Sequence, residues 1–456
     1  MTAAPERFVR HALETHASDI PPRALERARV FVLDTLGVGV AGSVAPYAED
    51  VLSTALRWGR AGDAEPSARV FGRAHRLPPT SAAFVNAFQI HCQEFDCVHE
   101  PAVVHPMASV FAALAAEVDA QGGAVSGREL TAATVVAVDV AAALGVAARA
   151  PIRFFRPANA GVFGAALGVA RLRGFAPEQA HDALGYALAQ CAGTMQAHVE
   201  GKPALPIQIA GAARAALVAC DLAEQGVPGP HDVFEGPFGY LQLFEGDWDL
   251  APALDGLGAV WRIEEVSHKP FPTGRAAQGG VTAFQELRAN GVAADAVEAV
   301  TLTAPPLIKR LVGRPFKADM GVNYARLCFP YIGACVLIDG DIGLRDFSAE
   351  RLADPAAAAL AACIEVVDDG GRDPAAFAPQ IATARLKTGA VVEARVDALY
   401  GSPAEPMDKA AYERKFRRCL EFAGCTDAVA DRVLDVADRL DAAPDARALI
   451  DALEQT

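Results

Sequence analysis

The sequence predicts a mainly α protein with a smaller α+β domain. Three observations carry this reading. Apolar residues recur at helical spacing from residue 22 to about 250. After about 266 the texture changes to short alternating runs of strand type. From Lys409 onward helical character returns, with Tyr412, Phe416 and Leu420 on one face. The expected division is a helical domain over 1–265, an α+β domain over 266–399, and C-terminal helices over 400–456 that pack back on the first domain. A chain of 456 residues is long enough for cores of this size.

Taken in order, Pro21-Pro22 opens a helix whose Leu25, Ala28, Val32 and Leu36 share a face. Gly37-Val38-Gly39-Val40-Ala41-Gly42 spells a dinucleotide fingerprint, but the run before it is helical and no second strand ending in an acid follows. A helix end with a tight turn is expected there instead. Thr80 is expected to cap a helix over 81–93, and an Ala-rich helix over 107–120 ends at Gly122-Gly123 before another opens at Gly127. In the helix over 160–172, Gly161, Gly164, Ala165 and Gly168 recur at spacings that let a neighbouring helix approach closely. Helices over 177–196, opened by a proline suited to a first turn, and over 210–225 complete the series. In the second domain a helix over 275–289 precedes strands at 297–304 and 364–367, and 381–387 and 391–396 flank Thr388-Gly389 as a hairpin.

Composition narrows the function. Lys and Arg number 41 against 56 Asp and Glu, a net charge of −15, which argues against a nucleic-acid binder and demands a local basic pocket if the substrate is anionic. No apolar block of signal-peptide type opens the chain, and no run of about 20 strongly apolar residues predicts a membrane span. Nine cysteines without C-x-x-C spacing read as reduced thiols of a cytoplasmic enzyme rather than a zinc or iron–sulfur site.

The densest chemistry lies in Asn86, His91, Glu94, Asp96, Cys97, His99 and His105-Pro106. On a helix His91 and Glu94 share a face, and a carboxylate beside an imidazole orients it and tunes its pKa for proton transfer. A capped helix with surface histidines is the plain alternative. Without H-x-x-x-H pairing no metal is expected. In His268-Lys269-Pro270-Phe271-Pro272-Thr273-Gly274-Arg275, Lys269 and Arg275 at a helix start make a carboxylate receptor, or else a rigid linker with solvated charges. Arg156, in Arg153-Phe154-Phe155-Arg156-Pro157, and Lys202-Pro203 add cations, and Tyr331 either presents its hydroxyl to a site or belongs to a buried helix.

In order, these pieces resemble the MmgE/PrpD family over nearly the whole chain. The carriers are Asp34-Thr35-Leu36-Gly37 with Ala41-Gly42-Ser43, the run from Asn86 to His105-Pro106, and Gly161-Val162-Phe163-Gly164-Ala165-Ala166. Glu235-Gly236-Pro237-Phe238-Gly239, Lys269-Pro270-Phe271-Pro272 and Phe329-Pro330-Tyr331 continue the match. The resemblance implies a large all-helical domain built from the N-terminal part and the tail, an α+β lid domain, and a homodimer. It also implies cofactor-free chemistry at carbon next to a carboxylate of di- or tricarboxylic acids. His105 and Lys269 match family active-site positions, Asp96 matches an acid of the D-F-D-D motif, Glu94 stands at its first Asp and Cys97 at its last. Arg156 and Gln208 stand where histidines are usual, Gln278 replaces a later one, and Arg275 keeps a basic residue.

The expectation is a dehydratase-like lyase in which His105 transfers the proton and Lys269, Asp96 and Glu94 complete the catalytic set. Arg156, Lys202, Arg275, His99, Gln208 and Tyr331 are expected to bind a small polycarboxylate, with no cofactor, metal, nucleic acid or membrane. An epimerase or decarboxylase of a related acid, and a non-catalytic dimeric metabolite-binding relative, are the alternatives.

Overall fold

In the computed structural model, which describes residues 3–59, 66–373 and 376–454, two hydrophobic cores organise the chain. The larger extends from Ala4 to Val266 and takes in Phe416 and Leu420 of the tail, while the smaller extends from Ala276 to Leu399. The mainly helical architecture with a small α+β part is thus as the sequence predicts.

Proline decides where several helices of the large core begin. Pro22–Gly42, Pro79–His91, Pro106–Ala120 and Arg156–Leu172 all carry a proline in the first turn, where the missing N–H costs no hydrogen bond. Thr80 therefore caps nothing: Pro78-Pro79 presets the backbone and the helix starts ahead of it. Pro157 likewise starts its helix at Arg156 rather than 160. The helix expected over 177–196 ends at Ala189, because Gly193 turns the chain at φ 105° and Gln196–Glu200 is a separate short helix. Its successor spans Ala204–Glu224, starting earlier than expected.

Small residues set the helix spacing. A Cβ on Gly161 would lie 2.3 Å from the Ser109 hydroxyl oxygen, and one on Gly164 2.3 Å from the Ala137 carbonyl oxygen, so the predicted close approach is real. The dinucleotide-like glycines form a packing face at the expected helix end, with a turn following at 43–44. Gly37 to Gly42 lie inside the Pro22–Gly42 helix and Ser43 keeps right-handed backbone angles. There Gly37 admits the Phe416 ring and Gly42 admits the Gln89 backbone. Gly127–Ala147 and Ala204–Glu224 are each long and apolar enough to cross a bilayer, with 94% and 61% of their apolar windows buried within the protein itself. All nine cysteines are free thiols.

The smaller core is built on a four-stranded sheet in the order Ile364–Asp368, Val297–Ala304, Gln380–Leu386, Val391–Val396. The first pair is parallel and the others antiparallel, with Gly389 turning the expected hairpin at φ 87°. Helices Gln278–Ala289 and Phe329–Asp339 pack together against it, Gly280 fitting beneath Phe329 and Gly333 against Phe284. Residues 275–277 form a tighter 3-10 turn ahead of the first of these helices.

Two devices join the parts. Val98–His99 pairs antiparallel with Val266–Ser267, a ladder of two residues that brings the Glu94–Asp96 loop beside Lys269. In the tail, Lys409–Phe422 starts at Asp408, whose carboxylate accepts from the Ala411 N–H at 2.7 Å. Lys415 of that helix pairs with buried Asp34 at 2.7 Å and donates to the Phe95 carbonyl at 2.9 Å.

A Cβ on Gly42 would lie 1.9 Å from the Gln89 carbonyl oxygen. Gly42→Ala is therefore expected to lower stability by about 1–3 kcal/mol through overpacking, read as a lower denaturant midpoint at unchanged slope. Gly211→Ala, where nothing lies within 4 Å, serves as control and should be neutral or mildly stabilising through helix propensity.

Candidate active site

The Pro79–His91 helix delivers His91 at its last turn, and the chain then turns sharply through Glu94 at φ 51°. This places Asp96 between two imidazoles. Its Oδ2 accepts from His91 Nδ1 and from His105 Nδ1, each at 3.0 Å. The two rings meet edge to face with centroids 4.8 Å apart. Lys269 reaches in from the segment after the Val266–Ser267 strand: its Nζ donates to Glu94 Oε2 at 3.0 Å and to the Glu94 carbonyl at 3.2 Å, and lies 3.8 Å from Asp96 Oδ1. The four groups named from sequence as catalytic, His105, Lys269, Asp96 and Glu94, are thus one cluster.

Its electrostatics separate the two histidines. An ionised carboxylate only accepts, so both Nδ1 atoms donate to Asp96 and each Nε2 is left to carry or receive a proton. At His91 burial opposes the charged form, but Asp96 and then Glu94 outweigh it and hold the pKa above the ordinary 6.5. At His105 burial, with Lys269 and His91 adding to it, outweighs Asp96 and holds the pKa below 6.5. Both carboxyls stay ionised despite burial. Lys269 and the histidines hold Glu94 at about 2, and the histidines and Lys269 hold Asp96 well below its usual range.

A cavity opens onto this cluster, lined by Glu94, His91 and His105 and otherwise largely by apolar side chains such as Val98, Ile152, Phe155, Met195 and Leu205. His105 is the accessible imidazole, its side chain 14% exposed against 1% for His91. Val103, also on the wall, holds φ at 51°. Glu94 and Val103 are two of only three non-glycine residues with positive φ among those described, and strained backbone of this kind gathers at functional sites. His91, Asp96 and His105 offer three ligand atoms within 4.8 Å of one another, a set able to hold a metal ion. The Lys269 ammonium already supplies the positive charge on that carboxylate.

Of the residues expected to bind substrate, Lys202 fits. It is exposed and lines a small pocket together with His91, Glu94 and Arg326. The others are engaged by partners within the protein. Arg156 is buried in a bidentate pair with Glu245, at 2.9 and 2.8 Å, and its third nitrogen donates to the Ala102 carbonyl. Arg275 borders the cavity, but its Nε pairs with Glu100 at 2.6 Å and its other nitrogens are taken by the carbonyls of His268, Tyr400 and Leu399. His99 donates to Glu265 at 2.8 Å and accepts from the Ala102 N–H at 3.1 Å, holding the strand ladder. The Tyr331 hydroxyl donates to the Asp346 carbonyl at 2.5 Å, inside the smaller core. Gln208 packs against Gly193, its side-chain amide nitrogen buried without a partner.

His91, which its spacing puts on one face with Glu94, joins the cluster, and two residues without a sequence signal belong to the site. His198 lines the cavity wall, where burial and then Arg314 push its pKa down to about 4. Arg326 is fully buried and donates to the Gln93 carbonyl at 2.8 Å and the Pro272 carbonyl at 3.0 Å, tying together the two loops that carry Glu94 and Lys269. Its number in sequence gave no hint, because both acceptors are backbone atoms of distant segments.

Residues 6–253 match the model of the MmgE/PrpD N-terminal domain and residues 271–440 that of the MmgE/PrpD C-terminal domain. Cis-aconitate decarboxylase of Homo sapiens is 27% identical over 425 residues, covering 89% of this chain and 85% of that protein. Its Mus musculus counterpart is 27% identical over 438 residues, covering 91% and 86%. Cis-aconitate decarboxylase of Aspergillus terreus is 29% identical over 284 residues, covering 59% and 57%. With both domain models matched in order across the two cores that meet at Asp96 and Lys269, this chain belongs to the MmgE/PrpD family.

Proposed function

We propose that the protein is a cofactor-free lyase that moves a proton at carbon next to a carboxylate of a small di- or tricarboxylic acid. The observation that carries this is the shared Asp96 carboxylate, which holds two imidazoles at 3.0 Å in opposite protonation tendencies. A neutral His105 facing the cavity is a base, and His91 beside it holds a proton in reserve, the split that general acid–base catalysis needs. Lys269 and Lys202 supply positive charge where a carboxylate-stabilised carbanion develops.

Water loss from a hydroxy acid uses His105 to remove the α-proton, while the β-hydroxyl leaves as water with the proton held on His91 and the C–H electrons form the double bond. Loss of carbon dioxide from an unsaturated tricarboxylate uses the same imidazole, once protonated, to deliver a proton to the carbon left behind. The similarity to cis-aconitate decarboxylases supports this second reading, as does the apolar lining, which favours dispersal of carboxylate charge. Incubation with cis-aconitate, citrate-type hydroxy acids and dicarboxylates in deuterated water, followed by NMR and mass analysis, separates water loss, carbon dioxide loss and bare exchange. Binding of such acids with none of the three would overturn the proposal in favour of a non-catalytic relative. The homodimer belongs to the same reading, with light scattering expected to give twice the mass of one chain.

Replacing His105 by Ala and Lys269 by Ala should each remove most turnover with the fold intact, and near-normal rates in both would sink the assignment. Asp96→Asn frees both imidazoles to adopt the wrong tautomer and is expected to cost about two to four orders of magnitude in kcat. The sign of the His105 shift fixes the pH profile. In water loss His105 must be neutral, so the acid limb of kcat/KM should lie below pH 6.5; in loss of carbon dioxide it must be protonated, so the same group should give an alkaline limb below pH 6.5. A limb of either kind above 6.5 would contradict the role given to His105.

A further inference from the structure

On the far side of Phe95 from the histidines lies a larger opening that the lyase reading leaves unused. A cleft of about 460 Å³ separates the Lys409–Phe422 helix from the 342–345 turn of the smaller domain and from the loop that follows Lys269. Its size falls within the range of about 300–1,000 Å³ typical of small-molecule sites. The cavity at the histidines holds only about 80 Å³.

The walls are cationic in a chain of net charge −15. Arg345, Arg414, Lys415 and Arg418 line the cleft against one carboxylate, Glu421. Lys415 is committed to Asp34. Arg418 has only Asp341, 3.7 Å away with both side chains well exposed, a pair of little net strength. Arg414 makes no side-chain hydrogen bond or ion pair among the described residues, and the Arg345 guanidinium merely lies over the Phe422 ring, 5.7 Å from its centroid. Three guanidinium groups are therefore available to one ligand. The rest of the lining is flat and apolar, with Phe271, Tyr400 and Phe422 among it.

Guanidinium forks match phosphate oxygens in pairs, and aromatic faces stack on planar bases. We infer that this cleft binds a nucleoside polyphosphate, its phosphates on Arg345, Arg414 and Arg418 and its base against the aromatic wall. Such a ligand spans two domains, because Arg345 belongs to the smaller one and Arg414 and Arg418 to the tail helix. It also bears on the catalytic cluster from behind. Phe95 lies between Glu94 and Asp96 in sequence, and Pro270 follows Lys269, so occupancy restrains both loops that carry the site. This inference stands apart from the identity of the acid turned over.

Calorimetric titration of the full chain with ATP, inorganic pyrophosphate and citrate tests it. ATP should bind saturably at one site per chain, with pyrophosphate weaker for want of a base and citrate failing to compete. The double substitution Arg414→Ser with Arg418→Ser should weaken ATP binding at least about tenfold at an unchanged melting temperature, since both side chains are exposed. His105→Ala should keep the ATP affinity, which separates this cleft from the histidine cavity whatever reaction occurs there. Absence of saturable ATP binding would overturn the inference. So would equal affinity for pyrophosphate and ATP, competition by citrate, or ATP binding that survives the double substitution and is lost in His105→Ala.

Discussion

The Asp96 carboxylate is the constraint on which the rest of the site depends. It is fully buried, it fixes the tautomer of two imidazoles through one oxygen, and it lies 3.8 Å from a buried ammonium through the other. Charge balance then explains why the histidines diverge. Asp96 and Glu94 bring two negative charges and Lys269 one positive, so one imidazolium neutralises the group and a second would leave it cationic in a poorly solvated space. The first proton goes to His91, which has Glu94 Oε1 at 4.0 Å as well as Asp96. The second is resisted at His105, the ring that opens on the cavity. On the lyase reading, it is the geometry around this single carboxylate that makes His105 the base.

That geometry has to be assembled from segments more than 170 residues apart, and backbone contacts do much of the assembly. The two-residue ladder of Val98–His99 with Val266–Ser267 sets the distance between the Asp96 and Lys269 loops. Arg326 then clamps the same two loops through the carbonyls of Gln93 and Pro272, and Glu100 with Arg275 closes the joint from the opposite side. Lys415 holds the intervening Phe95 carbonyl from the tail helix. Glu94 can keep its positive φ only because its neighbours are tied on both sides, with its own side chain drawn to Lys269.

Local order was legible in the sequence and long-range pairing was not. Period-3.6 apolar spacing, the glycine stripe from Gly161 to Gly168 and the Thr388-Gly389 hairpin depend on neighbours within a few residues, and all appear where expected. The density of histidines and acids between 86 and 105 likewise marked the site, since its short loop forces those side chains together. The partners of Arg156 and Arg275 were hidden for one physical reason. A cation announces itself in sequence, but the carboxylate that neutralises it does not: Glu245 is 89 positions from Arg156, and Glu100 is 175 from Arg275. Helix starts differ in a smaller way, because Pro79 and Pro157 sit in the first turn and begin their helices ahead of residues 81 and 160.

These internal pairings change what an anion meets on entering the cavity. With Arg156 and Arg275 paired to Glu245 and Glu100, the positive charge left near the histidines among the described residues includes Lys202, Arg326 beside it with its Nε unpartnered, and the share of Lys269 not held by Glu94. Glu94, ionised down to about pH 2, faces the same space. A substrate carboxylate that reaches Lys269 therefore competes with Glu94 for one ammonium, and the energy of that exchange is small because one charge-assisted hydrogen bond replaces another. Anchoring must come from elsewhere, from Lys202 at the rim and from apolar contact with the wall around Phe155 and Met195. On the lyase reading, such a site would gain most when negative charge grows next to Lys269 during reaction, which is the condition for rate acceleration rather than for tight binding.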